Sequence, residues 1–279
     1  MDISLETPPN SESLPTPIVC ANCGAELTGA YCHRCGQKKV DRRDFSVKYF
    51  FRHLLHELTD LDGSKILKTL FALLFRPGLL TSEYLAGRKG SYLNPIRIYL
   101  TFSALYFLFA WGTLSDLRGG GAERTARSRG TIAMAKQRGI EPRALADQVY
   151  QKAEKYSAVL RFGSVLISGL FLSVFYIGAK RYYVEHLIFS LHYYSFDFFC
   201  KSVFALLFII SRTLGHQFPV IVLNLFYPVA FVYLLFALRR VYRQGWPITT
   251  IKSLVLFVCE SLLFIGVNIA GFMIAFSRV

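Results

Sequence analysis

The sequence is poor in acidic residues and lacks the motifs of the commonest enzymes. It has 18 Asp and Glu against 32 Lys and Arg, a formal net charge of +14 over 279 residues. No nucleic-acid recognition motif accompanies this basic charge, so we expect no nucleic-acid partner. The sequence also has no phosphate-binding glycine loop, GxSxG turn or HExxH helix. These absences argue against the common nucleotide and hydrolase chemistries.

The start of the sequence lacks the basic and apolar regions of a secretory signal peptide. Residues 1–19 are rich in Pro, Ser and Glu, and we predict a disordered tail there. We therefore expect the N-terminus to stay in the reducing cytosol, where cysteines bind metals more readily than they form disulfides.

Long apolar stretches follow Asn94. Each has about 20 residues, the length of helix that crosses a bilayer. We predict an all-α integral membrane protein in which residues 95–279 form a bundle of about five transmembrane helices. The predicted spans are 95–113, 158–179, 196–214, 218–238 and 251–276. A polar loop at 115–157, with a flexible start at its three glycines, would separate the first two spans.

Residues 38–94 are predicted to form a basic hinge and amphipathic helices at the cytosolic face of the membrane. Apolar residues between Val47 and Leu58 recur at helical spacing, and Ser46 is a suitable N-cap. A second helix would stop before Pro77. Both helices are too short to cross a bilayer, so they would lie at its interface or pack beneath the bundle.

The distribution of Lys and Arg predicts the orientation of the bundle. Twelve of these residues precede the first span, and Arg239, Arg240 and Arg243 follow the fourth. We therefore expect a multi-pass protein of the bacterial inner membrane with a cytosolic N-terminus. The loop 115–157 would then be external, although it carries nine Lys and Arg against five acids. An even number of spans, with one re-entrant segment, is the alternative.

Two CxxC pairs form the sharpest motif in the chain, at Cys20 and Cys23 and at Cys32 and Cys35. Each pair bends into a knuckle, and two knuckles complete a closed tetrahedral site of four thiolates. A glycine follows each pair and permits the positive φ that a knuckle requires. We predict a zinc ribbon at 20–37 with a structural Zn²⁺, and iron is the alternative metal.

Three stretches together carry a resemblance to a known family. They are the four-cysteine ribbon, RPGLLTSEYLAGRKGSYLNPIRIYL at 76–100 and YVEHLIFSLHYYSF at 183–196. In this combination the chain resembles a bacterial family of zinc-ribbon polytopic membrane proteins that is catalogued only as a domain of unknown function. The resemblance covers most of the chain from Cys20 onward. It implies a membrane location and a shared architecture, and it implies no reaction.

Three basic residues, Arg88, Lys89 and Arg97, lie beside the first predicted span. Near a membrane surface each would attract anionic lipid headgroups by about 1 kcal/mol. We expect the bilayer and its anionic headgroups to be their partner, as an anchor of topology. A specific lipid or substrate pocket is the alternative interpretation.

Glu185, His186 and His192 form the most enzyme-like group, and they are the candidate catalytic residues. On a straight helix Glu185 and His192 share a face but lie about 10 Å apart. One metal ion could join them only if another element supplied ligands. A polar network that hydrogen-bonds other spans is the alternative expectation.

Four polar residues are predicted to lie inside the membrane. Asp197 and Lys201 are four positions apart, which predicts an ion pair on one helix. Glu260 has no local partner, and Asn268 lies two turns beyond it. An ionisable group inside a membrane is expensive and is a candidate functional residue by default. The counter-ion of Glu260 would be Arg161 or Arg212, and a protonated carboxyl group without a counter-ion is the alternative.

These features lead to three functional hypotheses. The first is a non-enzymatic anchor, sensor or scaffold whose cytosolic ribbon docks a protein partner. The second is a small-solute transporter or channel that uses Glu260 and neighbouring polar groups. The third is a membrane-embedded metalloenzyme that uses Glu185, His186 and His192.

Overall fold

The computed structural model describes residues 18–39, 63–216 and 220–279, and from residue 63 onward these are predominantly helical. The helix predicted around 47–58, the basic hinge and most of the N-terminal tail lie outside the described residues. The helices are α1 (Gly63–Phe75), α2 (Leu79–Leu85), α3 (Pro95–Ala126), α4 (Arg129–Arg138), α5 (Pro142–Phe175), α6 (Tyr183–Thr213), α7 (Val220–Tyr242) and α8 (Trp246–Arg278).

Four of these helices are long and apolar enough to cross a membrane. They are α5, α6, the Leu225–Tyr242 part of α7, and α8. A shorter apolar segment, Pro95–Phe109, forms the first part of α3. The prediction of an all-α membrane protein with an N-terminal four-cysteine cluster is therefore confirmed.

Helix α3 begins as the sequence predicts and then continues further. The Asn94 side chain accepts a hydrogen bond from the Ile96 amide at 3.0 Å, and Pro95 occupies the first helical turn. The helix then runs through glycines 119–121 to Ala126, and α4 and α5 follow closely. The predicted loop 115–157 is therefore mostly helical. Glycine disfavours a helix by only about 1 kcal/mol per position, so flanking helical turns can override it.

Helix α6 begins well before the predicted third span. It starts at Tyr183 rather than at residue 196, because no Gly or Pro interrupts the sequence between them. Glu185 caps its first turn by accepting a hydrogen bond from the Tyr182 amide at 3.4 Å. The motif at 183–196 and the third span thus belong to one continuous helix.

Two helix pairs form the centre of the bundle. Helix α5 packs along α8 and α3 packs along α6, while contacts between α5 and α6 join the two pairs. The apolar core between α3, α5 and α6 includes Ile96, Val165, Leu187, Ile188 and Leu191. This arrangement brings the polar residues of α5, α6 and α8 into the interior.

Helices α1 and α2 pack against one end of the bundle. Their buried Leu73 and Leu80 belong to a cluster that includes Leu234 and Leu238 of α7. Gly78, which precedes α2, has a φ of 73°, and a Cβ there would lie 2.7 Å from the Ala237 carbonyl oxygen. These helices therefore form part of the core, with a backbone approach that only glycine permits.

Candidate metal centre and intramembrane polar site

The four ribbon cysteines converge on one centre. The Sγ atoms of Cys20 and Cys35 are 3.6 Å apart, and those of Cys23 and Cys32 are 3.5 Å apart. All four lie within 4.8 Å of one another. Four sulfurs bound to a tetrahedral ion at ~2.3 Å would be separated by about 3.8 Å. The predicted four-cysteine cluster is confirmed, and its geometry fits a single tetrahedral ion.

The same backbone pattern forms each knuckle. The Gly24 amide donates to the Cys20 carbonyl at 2.9 Å, and the Gly36 amide donates to the Cys32 carbonyl at 2.8 Å. Both glycines have positive φ, 75° and 71°. This left-handed conformation turns each chain segment sharply and directs both cysteines of a pair toward the common centre.

Backbone amides and neighbouring thiols set the protonation of the cysteines. A hydrogen bond from the backbone of Gln37 lowers the pKa of Cys35 to about 6. The backbone of Ala25 acts in the same direction on Cys23, but burial and the neighbouring thiols outweigh it and raise that pKa to about 11. Four adjacent thiolates repel one another, so a bound cation is what would hold all four in that form.

The ribbon also docks on the loop between α2 and α3. Gln37, two residues after the last cysteine, donates through Nε2 to the Gly87 carbonyl oxygen at 2.6 Å. Its Oε1 accepts from the amides of Lys89 and Gly90, at 3.1 and 2.8 Å. One side chain therefore satisfies three backbone groups of residues 87–91, which we call the ribbon-binding loop.

A second side chain of the ribbon, Asn22, contacts the same loop. Its Oδ1 accepts a hydrogen bond from Ser91 Oγ at 2.9 Å. A Cβ at Gly90 would lie 3.1 Å from Asn22 Nδ2 and 3.3 Å from Gln37 Oε1. Asn22 lies within the first knuckle and Gln37 follows the second, so both knuckles must be folded to present the two side chains together.

The basic residues of the loop have partners within the chain. Arg88 forms two hydrogen bonds with Glu83, each at 2.6 Å. Arg88 thereby lowers the pKa of Glu83, so this pair stabilises the fold above the ordinary carboxyl pKa and loses that effect as pH falls through the lowered value. Lys89 Nζ lies 4.9 Å from the centre of the Tyr84 ring, and Arg97 is half-buried in α3. Headgroup contact by these residues stays a prediction.

The enzyme-like group of α6 is dispersed. His186 Nδ1 lies 2.6 Å from the Tyr242 hydroxyl, and His192 Nδ1 lies 3.0 Å from Thr81 Oγ1. Glu185 caps the helix instead. In the part of the chain that the structure describes, the four cysteines are the one group of three or more ligand-type residues close enough for a metal. His186 and His192 thus bond to other helices, as in the polar network that was the alternative expectation, whereas Glu185 acts at the start of its own helix.

The predicted polar residues of α6 and α8 each have a partner inside the bundle. Lys201 Nζ donates to Asp197 Oδ2 at 2.6 Å, so the predicted ion pair forms. The Tyr194 hydroxyl donates to Glu260 Oε2 at 2.7 Å. The other Glu260 oxygen, Oε1, is buried and has no hydrogen-bond partner among the described residues.

Arg161 of α5 joins this cluster through neutral groups. Its Nη1 donates to the Tyr106 hydroxyl at 2.9 Å, and its Nη2 donates to Asn268 Oδ1 at 2.6 Å. The guanidinium carbon lies 5.1 Å from the centre of the Phe264 ring. Arg161 is therefore not the ion-pair partner of Glu260 that the sequence allowed, and no carboxylate of the described residues pairs with it.

A small cavity lies among these groups. Its volume is about 20 Å³, roughly enough for one water molecule. Its lining includes Tyr106, Arg161, Ser164, Tyr194, Asp197 and Lys201. Residues of helices α3, α5, α6 and α8 line it. Glu260 and Asn268 bond to lining residues, so the intramembrane polar residues are grouped around this cavity.

Sequence reasoning missed the two tyrosines of this site, Tyr106 and Tyr194. Tyrosine is common in membrane helices, so the sequence alone does not show which tyrosine hydroxyl bonds a polar residue of another helix. A signal did exist on α5, where Arg161, Ser164 and Ser168 are spaced by three and four positions on one helical face. Ser190 Oγ donates to Ser168 Oγ at 3.1 Å, so that polar face does contact α6.

The fold and these sites define a multi-pass helical membrane protein with a possible metal-binding cysteine cluster. Residues 63–107 match the model of a family described as "Protein of unknown function (DUF3667)", which confirms the resemblance to a family of unknown function. The matched residues include α1, α2, the ribbon-binding loop and the start of α3. No curated protein and no solved structure matches the chain.

Proposed function

We propose that the protein is a non-enzymatic membrane transporter or channel for a small polar solute. The observation that carries this proposal is a cavity lined by Arg161, Asp197 and Lys201 from two membrane-type helices. Glu260 of a third helix bonds Tyr194, which is also part of the lining. Ionisable groups inside a bilayer are expensive, and they commonly mark substrate or ion pathways. The dispersal of His186 and His192 to other partners makes the metalloenzyme hypothesis the weaker one.

The test is solute flux in proteoliposomes. Liposome shrinkage and swelling would be followed by light scattering for a panel of small salts and neutral solutes. Glu260→Gln should reduce the flux of the transported solute at least tenfold, because it removes the charge that the site can carry. Glu123→Gln is the matched control, since Glu123 pairs with Arg127 at an exposed position. Flux no greater than that of protein-free liposomes for every solute would contradict the proposal.

We also propose that the ribbon metal is zinc and that the ribbon end of the bundle faces the cytosol. Four thiolates in a closed site favour Zn²⁺ in a short ribbon. At this end Arg181 donates to the Val241 carbonyl, Arg240 to the Pro77 carbonyl and Lys252 to the Phe175 carbonyl. Such an excess of cations is typical of the cytosolic side of a bacterial inner membrane. Zinc content would be measured on purified protein, and orientation by labelling of single cysteines.

A ribbon that docks a cytosolic protein partner is the second candidate function. The exposed apolar side chains of Ile18, Val19 and Tyr31 favour it, with exposed fractions of 52%, 58% and 65%. These side chains are distinct from Asn22 and Gln37, which contact the ribbon-binding loop. Replacing all three with serine should abolish cross-linking of a partner in cells while one metal ion per chain is retained. Unchanged cross-linked products would contradict a docking role.

A further inference from the structure

The Arg161 guanidinium beside the cavity has no ion-pair partner among the described residues. Lys201 and Asp197 neutralise each other at 2.6 Å. Arg161 bonds the neutral Tyr106 and Asn268, and no carboxylate of the described residues pairs with it. The lining therefore carries two cations and one carboxylate, and the carboxyl group of Glu260 lies next to it, bonded to Tyr194. An unbalanced guanidinium inside a membrane protein is costly, and a bound anion would offset that cost.

Three side chains at the cavity carry N–H or O–H groups that make none of the hydrogen bonds described above. Arg161 Nε is buried and has no hydrogen-bond partner in the described parts of the chain. The Tyr106 hydroxyl accepts from Arg161, so its own proton remains for donation. The Lys201 ammonium has three N–H groups, of which one is directed to Asp197. A ligand that only accepts hydrogen bonds would suit this set of donors.

The size of the cavity limits the ligand further. A cavity of about 20 Å³ holds a particle of roughly the size of one water molecule. An amino acid or a sugar is larger than this space. Together, the unpaired guanidinium, the donors beside it and the small volume favour a monovalent anion with few atoms.

We propose that this cavity binds one small monovalent inorganic anion, of the size of fluoride or chloride, at the Arg161 guanidinium. The inference rests on the proposed transport function and names the class of its substrate. Arg161 supplies the charge, Tyr106 and Lys201 supply further donors, and the Phe264 ring covers the guanidinium at 5.1 Å.

The test is saturable binding of radiolabelled chloride to purified protein in nanodiscs, with fluoride and gluconate as competitors. Arg161→Gln should weaken chloride binding about 30-fold or more, and Tyr106→Phe about fivefold, because each removes donors to the anion. Arg143→Gln, at an exposed position on the same helix, should leave binding unchanged. Fluoride should compete, and the larger gluconate should not.

Two results would overturn the proposal. One is the absence of saturable chloride and fluoride binding by the wild-type protein. The other is unchanged affinity in Arg161→Gln or, should that variant not fold, in Tyr106→Phe, which keeps the ring. Flux separates this inference from the proposed function. If the protein binds anions but transports no solute, the anion site is supported and the transport function is contradicted. If flux depends on Glu260 but no anion binds, the transport function is supported and the anion site is contradicted.

Discussion

Gln37 is predicted to hold the ribbon on the ribbon-binding loop, and Gln37→Ala should release it. The substitution removes the bond to the Gly87 carbonyl and the two bonds from the amides of Lys89 and Gly90. A partly buried neutral hydrogen bond contributes roughly 1 kcal/mol net, and the two amides share one acceptor. We therefore expect a loss of about 2 kcal/mol, which shifts the docked-to-undocked ratio by about 30-fold.

Hydrogen exchange at the Gly90 amide measures this loss directly. In the wild-type protein this amide donates to Gln37 Oε1, whereas the Lys89 amide also donates to the Gly87 carbonyl at 3.0 Å. In Gln37→Ala the Gly90 amide should exchange about 30-fold faster, and trypsin should cleave after Arg88 or Lys89 more rapidly. Metal content should stay the same, because all four cysteines remain. Exchange that is unchanged in Gln37→Ala would refute the reasoning.

Two further variants test whether the effect is specific to this contact. Glu26→Ala alters an exposed ribbon side chain and should leave the exchange of the loop unchanged. Gly90→Val should release the ribbon from the opposite side, because even a Cβ there would lie 3.1 Å from Asn22 Nδ2. Equal acceleration in Glu26→Ala would indicate that the ribbon is merely unstable, and the Gln37 contact would then not be responsible.

Three other predictions concern the metal and the packing of the helices. Cys20→Ser should remove the bound ion, measured by elemental analysis, and should also accelerate exchange in the ribbon-binding loop; retained metal would contradict this. Gly271→Ala should lower the thermal unfolding midpoint in detergent, because the added Cβ would lie 2.9 Å from the α5 backbone. Gly266→Ala on the same helix is the control and should leave the midpoint unchanged, because a Cβ there meets no atom within 4 Å. Thr81→Val should lower the midpoint too, since it leaves the buried His192 Nδ1 unpaired at a cost of about 1–3 kcal/mol. An unchanged midpoint would show that this hydrogen bond does not stabilise the fold.

The sequence predicted those features that depend on local spacing. The two CxxC pairs determine a four-thiol site because each knuckle closes within four residues. The cap at Asn94 and the Asp197–Lys201 ion pair are likewise separated by a few positions along one chain segment. Of the five spans predicted from apolar length, four correspond to helices of the described residues that are long and apolar enough to cross a membrane, and the first corresponds to the shorter apolar segment Pro95–Phe109. Helix ends were harder to predict, because a helix can continue through glycines or polar residues once it is nucleated.

Contacts between distant segments could not be predicted in this way. Gln37 and Gly87 are 50 residues apart, and Arg161 and Asn268 are 107 residues apart. Which helix faces which is determined by packing, and no local pattern encodes it. The same limit explains Glu260, whose partner proved to be Tyr194 rather than an arginine.

The contact of the ribbon with its loop bears on why a membrane protein would carry a metal site at all. Small domains bury too little apolar surface to be stable alone, and a bound metal can supply the missing folding free energy. Here metal binding would also stabilise a contact outside the ribbon, because the folded knuckles position Asn22 and Gln37 to hydrogen-bond residues 87–91. The loop leads directly into α3, whose Tyr106 bonds Arg161 at the intramembrane cavity. Hydrogen bonds thus connect the ribbon to the loop, and the chain connects the loop to α3. Gln37→Ala removes three of the ribbon–loop bonds, leaves the one between Ser91 and Asn22, and alters neither the cysteines nor the cavity.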